Sequence, residues 1–126
     1  MTLNEIMKSL YFKKETFFVD MFGKIKSNQT TLYSDRNNCS SLLHIERWLS
    51  MNDLLNVAHF LNNGWTPHWE DKNEKKYTII IDNGIPVALQ VTQPVSFVYF
   101  SCEENAQKAI EIVGGKQILQ VLGGNN

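Results

Sequence analysis

Leu61 to Ile81 reads LNNGWTPHWEDKNEKKYTIII, and across it the residue pattern passes from helical spacing to strand propensity. Asn62, Asn63 and Gly64 follow a run of apolar residues at helical spacing. Glycine just past a last turn adopts the left-handed conformation that closes a helix, so the helix is expected to stop at about Asn63. Trp65 to Trp69 then holds Trp, Pro, His and Trp within five residues. Pro67 donates no backbone hydrogen bond and drives Thr66 toward extended geometry, which makes 64–76 a bent connector. Each indole combines a large apolar surface with one N–H donor, and its usual role is to cap a small core with that donor bonded. The other role for Trp65 or Trp69 is an exposed anchor in a partner's pocket, because Trp is enriched among binding hot spots. Glu70 to Lys76, EDKNEKK, is a mixed-sign run that belongs in solvent.

After the connector, Tyr77 to Ile81 has strong strand propensity, and Asn83-Gly84 separates IIID from IPVALQV. Both turn residues tolerate the positive φ of a type I′ turn, so strands one and two are expected to pair antiparallel. Gln93-Pro94 supplies a second reversal, and Ser96 to Ser101 alternates as a third strand, giving a three-stranded antiparallel meander over 77–101. Ser101 and Glu104 read as a capping box for a C-terminal helix at 102–122 that carries Ala106, Ala109, Ile110 and Val113 on one face and is interrupted at Gly114-Gly115. A frayed tail, 123–126, is expected beyond it.

Before the connector, 42–63 is helical, with Ser40 or Ser41 as its cap and a possible restart at Ser50 or Asn52. Asn28 to Ser41 is rich in Asn, Ser, Thr and Asp and reads as a long loop. Thr2 and Glu5 form a capping box ahead of Leu3, Ile6, Met7 and Leu10 at helical spacing. In 16–25, Phe17, Val19 and Met21 alternate as in a strand, while Phe18, Met21, Phe22 and Ile25 fit one helical face; the helical reading is preferred. The fold class expected is therefore α+β in one domain, 1–126: N-terminal helices (1–27), a three-stranded antiparallel meander and a C-terminal helix.

The formal net charge of −1, from 12 basic and 13 acidic residues, provides no global field for nucleic acid or lipid. No apolar run reaches the roughly 18 residues of a membrane helix, and the opening MTLNEIMKSLYFKK is not a leader pattern, so a soluble cytoplasmic protein is expected, with no membrane partner. Cys39 and Cys102 stand apart and outside any CxxC arrangement, and His44, His59 and His68 fit no metal-binding spacing. No nucleophile and base pair and no phosphate loop stands out, so no catalytic residue, metal or cofactor is assigned. The most basic section is the first 27 residues, where Lys8, Lys13, Lys14, Lys24 and Lys26 face only Glu5, Glu15 and Asp20. Long charged side chains ordinarily form a solvated face, and the sharper reading is a contact patch with Tyr11, Phe12, Phe17 or Phe18 free to stack on bases.

Residues 54–114 carry a resemblance. LLNVAHFLNNGWTPHWEDKNEKKYTI, a strand pair, and YFSCEENAQKAIEIVG are similar to a pattern met in small proteins of phages and prophages of the Bacteroides and Flavobacterium lineages: LNxGWxPxW, a KY strand, then FxSEExAQKAIEIxG. His68 stands where Asp is common, and the basic N-terminal third departs from the pattern. The resemblance implies a phage-associated, non-enzymatic protein that docks on a host protein, with an RNA-guided CRISPR effector nuclease or its guide-RNA complex as the candidate target. Lys13, Lys14, Phe17, Lys24, Lys26, Trp65, Trp69 and Lys72 are the candidate partner-binding residues. The alternative is direct binding of single-stranded RNA or DNA by the first third. Self-association through an exposed strand edge is a third possibility.

Overall fold

The computed structural model describes residues 1–123, and the chain divides into two compact units, Met1–Glu46 and Arg47–Asn126. The α+β class holds, but the described residues contain two separate two-stranded antiparallel sheets in place of the expected meander.

In the first unit the helix α1 (Leu3–Tyr11) opens on the expected capping box: Thr2 Oγ1 accepts the Glu5 N–H at 3.2 Å, and Glu5 accepts the Thr2 N–H at 3.3 Å. Residues 16–26 correct the helical expectation, since β1 (Glu15–Val19) pairs with β2 (Ile25–Gln29). The cause lies in Asp20-Met21-Phe22-Gly23-Lys24. Asp20 Oδ1 accepts the N–H groups of Phe22 and Lys24, both at 2.9 Å, and Gly23 takes a φ of +76°. Gly23 N–H closes a turn on Asp20 O at 3.0 Å, the type I turn plus left-handed glycine of a short hairpin loop. A helix through the same residues would hold Gly23 in its interior, at a cost of about 1 kcal/mol.

The expected loop at 28–41 bonds back to β1. Phe17 and Cys39 exchange backbone hydrogen bonds at 2.9 and 2.8 Å, and Asn37 bonds both backbone groups of Val19 through its side-chain amide. Thr16, fully buried, donates to Cys39 O at 3.1 Å, and Tyr11 and Cys39 are buried with it. That burial pushes the Tyr11 hydroxyl and the Cys39 thiol above their usual pKa ranges. Helix α2 (Leu42–Asn62) starts on Ser41, whose hydroxyl accepts the His44 N–H at 3.1 Å.

The second unit takes α2 onward from Arg47. No break occurs at Ser50 or Asn52; Ser50 instead donates to Gln120 Oε1 at 3.0 Å. Asn63 and Gly64 close the helix in left-handed conformations, at φ of +48° and +89°. β3 (Lys76–Asp82) and β4 (Ile85–Val91) pair across Asn83-Gly84, both at positive φ, as a type I′ turn requires. The expected third strand shrinks to one bridge, Tyr77 to Phe100, with hydrogen bonds of 3.0 and 2.8 Å. Tyr99 folds its hydroxyl onto the backbone N–H and C=O of Ser96, at 2.6 and 2.8 Å, which curls 96–99 away from a regular ladder. Thr78 donates to Val98 O at 2.7 Å and fastens that curl to β3.

Helix α3 (Glu103–Val113) has Cys102 as its N-cap with no side-chain cap bond, so the expected Ser101/Glu104 box is not formed. The chain turns at Gly114, φ +97°, into α4 (Gly115–Leu122). Residues 124–126 of the expected tail lie outside the described residues. Leu54, Ala58, Ile79, Val98, Phe100, Ala106, Ala109 and Ile118 form one buried cluster, drawn from α2, β3, the bridge segment, α3 and α4.

Candidate docking surfaces

The connector in the second unit is built around one carboxylate. Glu74 Oε1 accepts the His68 N–H at 2.8 Å, while Oε2 accepts Trp65 Nε1–H at 3.2 Å and lies 2.8 Å from His68 Nδ1. The His68 backbone N–H, then its imidazole, then the Trp65 indole hold the Glu74 carboxyl at about 2, well below its usual 4.5. The same pairing with Glu74 raises the His68 pKa above 6.5. Lys76 is only 3% exposed. Its ammonium donates to Asp71 O at 2.8 Å and Glu74 O at 3.2 Å, lies 3.5 Å from Glu74 Oε1, and sits 5.5 Å from the centre of the Trp69 ring. Trp69 in turn meets the Tyr99 ring edge-on, with centroids 4.8 Å apart. Trp65 and Trp69 are thus half-buried and internally engaged, the indole of Trp65 by a hydrogen bond and that of Trp69 by its ring contacts, while Lys72 is exposed.

The candidate residues of the first unit do not converge. Lys13 and Lys14 stand at the open end of the β1–β2 ribbon, and Lys24 and Lys26 at its closed end. A five-residue strand separates the two pairs by about 17 Å. The Lys14 ammonium donates to Ser9 O at 2.7 Å, and the ammonium groups of Lys13 and Lys8 lie 5.4 and 5.7 Å from the Phe12 ring centre. Phe12 also meets Tyr33 edge-on at 5.8 Å. Phe17 is half-buried with its backbone tied to Cys39, and Tyr11, 3% exposed, presents no face for stacking.

What the sequence reading missed is the apex of that ribbon. Met21 is 89% exposed and Phe22 79% exposed, side by side on a loop pinned by Asp20. The Asp20 carboxyl is held below its usual pKa, chiefly by the Lys24 N–H. Asp followed three residues later by Gly was the available signal, and the helical match of Phe18, Met21, Phe22 and Ile25 hid it.

Among the described residues no three of His, Cys, Asp and Glu gather in a metal-sized cluster, and no helix is long and apolar enough to cross a membrane. No family model, no curated protein and no solved structure matches the chain.

Proposed function

We propose that this chain is a non-enzymatic, phage-type docking protein that binds and modulates a host protein, an RNA-guided CRISPR nuclease being the first candidate to test. The observation that carries the docking reading is the apolar apex Met21-Phe22 on a loop held by hydrogen bonds. Single exposed apolar residues are ordinary on protein surfaces, but two large neighbours at the tip of a pinned hairpin form a ready-made anchor. Burying one such side chain is worth about 1.5–3 kcal/mol, and a loop already ordered adds little entropic cost on binding. Methionine adapts to irregular pockets, and the adjacent Lys24 and Lys26 favour an acidic rim around the receiving pocket. The choice of a host nuclease rests on the resemblance of residues 54–114.

Direct binding of single-stranded nucleic acid is the weaker reading. A phosphate track asks for a continuous basic groove with aromatic platforms, whereas the lysines here fall into two separate groups, Lys8, Lys13 and Lys14 at one end of the ribbon and Lys24 and Lys26 at the other, and Tyr11 is buried.

The test is capture from host lysate with wild type and with Met21→Ser/Phe22→Ser, each with and without nuclease, read by mass spectrometry. Docking predicts one dominant protein that survives nuclease and high salt and is lost with the double variant. A partner that vanishes with nuclease, or a salt dependence steep and log-linear, overturns it in favour of nucleic acid.

A further inference from the structure

The rest of the first unit covers one edge of the β1–β2 ribbon and leaves the other open. In an antiparallel pair, residues facing the partner strand alternate with residues whose N–H and C=O point outward. Asp20 N–H bonds Lys24 O at 2.9 Å, so Phe18 with Lys26 and Thr16 with Asn28 are the facing pairs. Val19 and Phe17 therefore turn outward on β1, and both are satisfied, Val19 by the Asn37 side chain and Phe17 by Cys39. The same alternation turns Ile25, Ser27 and Gln29 outward on β2, and no partner for their backbone groups occurs among the described residues. Lys26, Ser27, Asn28 and Gln29 are also exposed on both faces of the ribbon. This open edge ends at the Met21-Phe22 apex, with Lys24 and Lys26 beside it.

We infer that the β2 edge receives an extended, carboxylate-bearing segment of the partner protein as an added strand. The inference rests on the docking reading above and specifies how the partner is held. The outward backbone groups of Ile25, Ser27 and Gln29 supply the ladder, and alternate side chains of the incoming strand supply the selectivity. Carboxylates on that strand neutralise Lys24 and Lys26, whereas a second copy of this chain would gather the lysines of two edges on one four-stranded ribbon. Open edges are a hazard that charged side chains moderate, and lysine does so while still admitting an acidic strand.

The test is selection from a random peptide library on wild type, Ser27→Pro, Met21→Ser/Phe22→Ser and Lys24→Glu/Lys26→Glu. Proline at 27 removes an outward N–H and leaves the facing pairs intact, so the Phe17 and Cys39 amides should stay protected from exchange; Lys26→Pro, which removes a facing N–H, shows what a broken ribbon looks like. The expected result is enrichment of acidic peptides on wild type, loss of that enrichment on Ser27→Pro, and a switch to basic peptides on the charge-reversed chain. Bound peptide should shift the Ile25, Ser27 and Gln29 amide resonances. Equal enrichment on Ser27→Pro, enrichment of basic peptides on wild type, or no enrichment overturns the inference. So does a dimer in light scattering that Ser27→Pro returns to monomer. The lysate capture separates the two readings: loss with Met21→Ser/Phe22→Ser but not with Ser27→Pro leaves docking standing and removes the added strand, and the reverse pattern removes the apex.

Discussion

The two hairpins of this protein are close in size and opposite in finish. The β3–β4 hairpin turns through Asn83-Gly84, polar and exposed, and its outer strand carries Pro86. Alternation from the Asp82–Ile85 pair turns Pro86 outward, so the edge lacks a donor there. Its β3 contributes Ile79 to a buried cluster with α3 and α4. The β1–β2 hairpin turns through Met21-Phe22 and carries an all-polar exposed outer strand after Ile25, with no proline. The β3–β4 hairpin buries Ile79 and leaves Ile85 and Leu89 exposed along its outer strand, whereas the β1–β2 hairpin gathers its most exposed apolar residues, Met21 and Phe22, in the turn itself.

The largest effect should separate buried from displayed phenylalanine. Phe100, fully buried at the bridge to β3, should lose about 3–5 kcal/mol on change to Ala, measured by urea denaturation. Phe22→Ser should move the same measurement by no more than about 0.5 kcal/mol, although both positions carry the same side chain in the wild-type chain. Equal losses at the two sites would end the contrast.

Next in size is the buried ammonium of the connector. Lys76→Ala leaves the carbonyls of Asp71 and Glu74 and one carboxylate oxygen without their cation, and a loss of about 3 kcal/mol is expected. Lys24→Ala, at an exposed position beside the apex, should leave stability unchanged while weakening docking.

The pH response is smaller and has two limbs. Glu74 is depressed in the folded chain, so its contribution is present above 4.5 and is lost as the pH falls toward 2. His68 is raised, so its contribution is complete below 6.5 and is lost as the pH rises through its folded value. Thermal melting of the connector should therefore be highest between about 4.5 and 6.5. Glu74→Gln should flatten both limbs, and His68→Asn should remove the alkaline limb while keeping much of the acid one, because the His68 backbone N–H remains. A profile unchanged by Glu74→Gln would show that this carboxylate does not hold the connector. At the apex, Asp20→Ala should speed amide exchange at Phe22 and Lys24 and leave the β3–β4 amides untouched.

The second unit was largely legible because its signals are local. A glycine after an apolar helix, Asn-Gly between two β-branched runs and an apolar helical face each have one reading, and α2, the β3–β4 hairpin and α3 follow. The meander failed where a local side-chain contact won, with the Tyr99 hydroxyl bonding Ser96 three residues back in place of extending a ladder. In the first unit, Phe17, Val19 and Met21 fit a strand while Phe18, Met21, Phe22 and Ile25 fit a helix, and the Asp20 side chain together with left-handed Gly23 decided between them. The indoles of the connector were read from their chemistry, but the choice of Glu74 as their centre depends on a fold-back from 74 to 65 and 68 that no periodicity records.

The enclosure of Lys76 also gives the connector a built-in reporter. Lys72 and Lys75 are exposed and would take up an amine-reactive label at once, whereas the Lys76 ammonium, closed in by Asp71, Glu74 and the Trp69 ring, is reached only when those neighbours part. Labelling kinetics at these positions, resolved by peptide mass spectrometry, would time the opening of the connector residue by residue, with the exposed lysines of the same peptide serving as the internal standard.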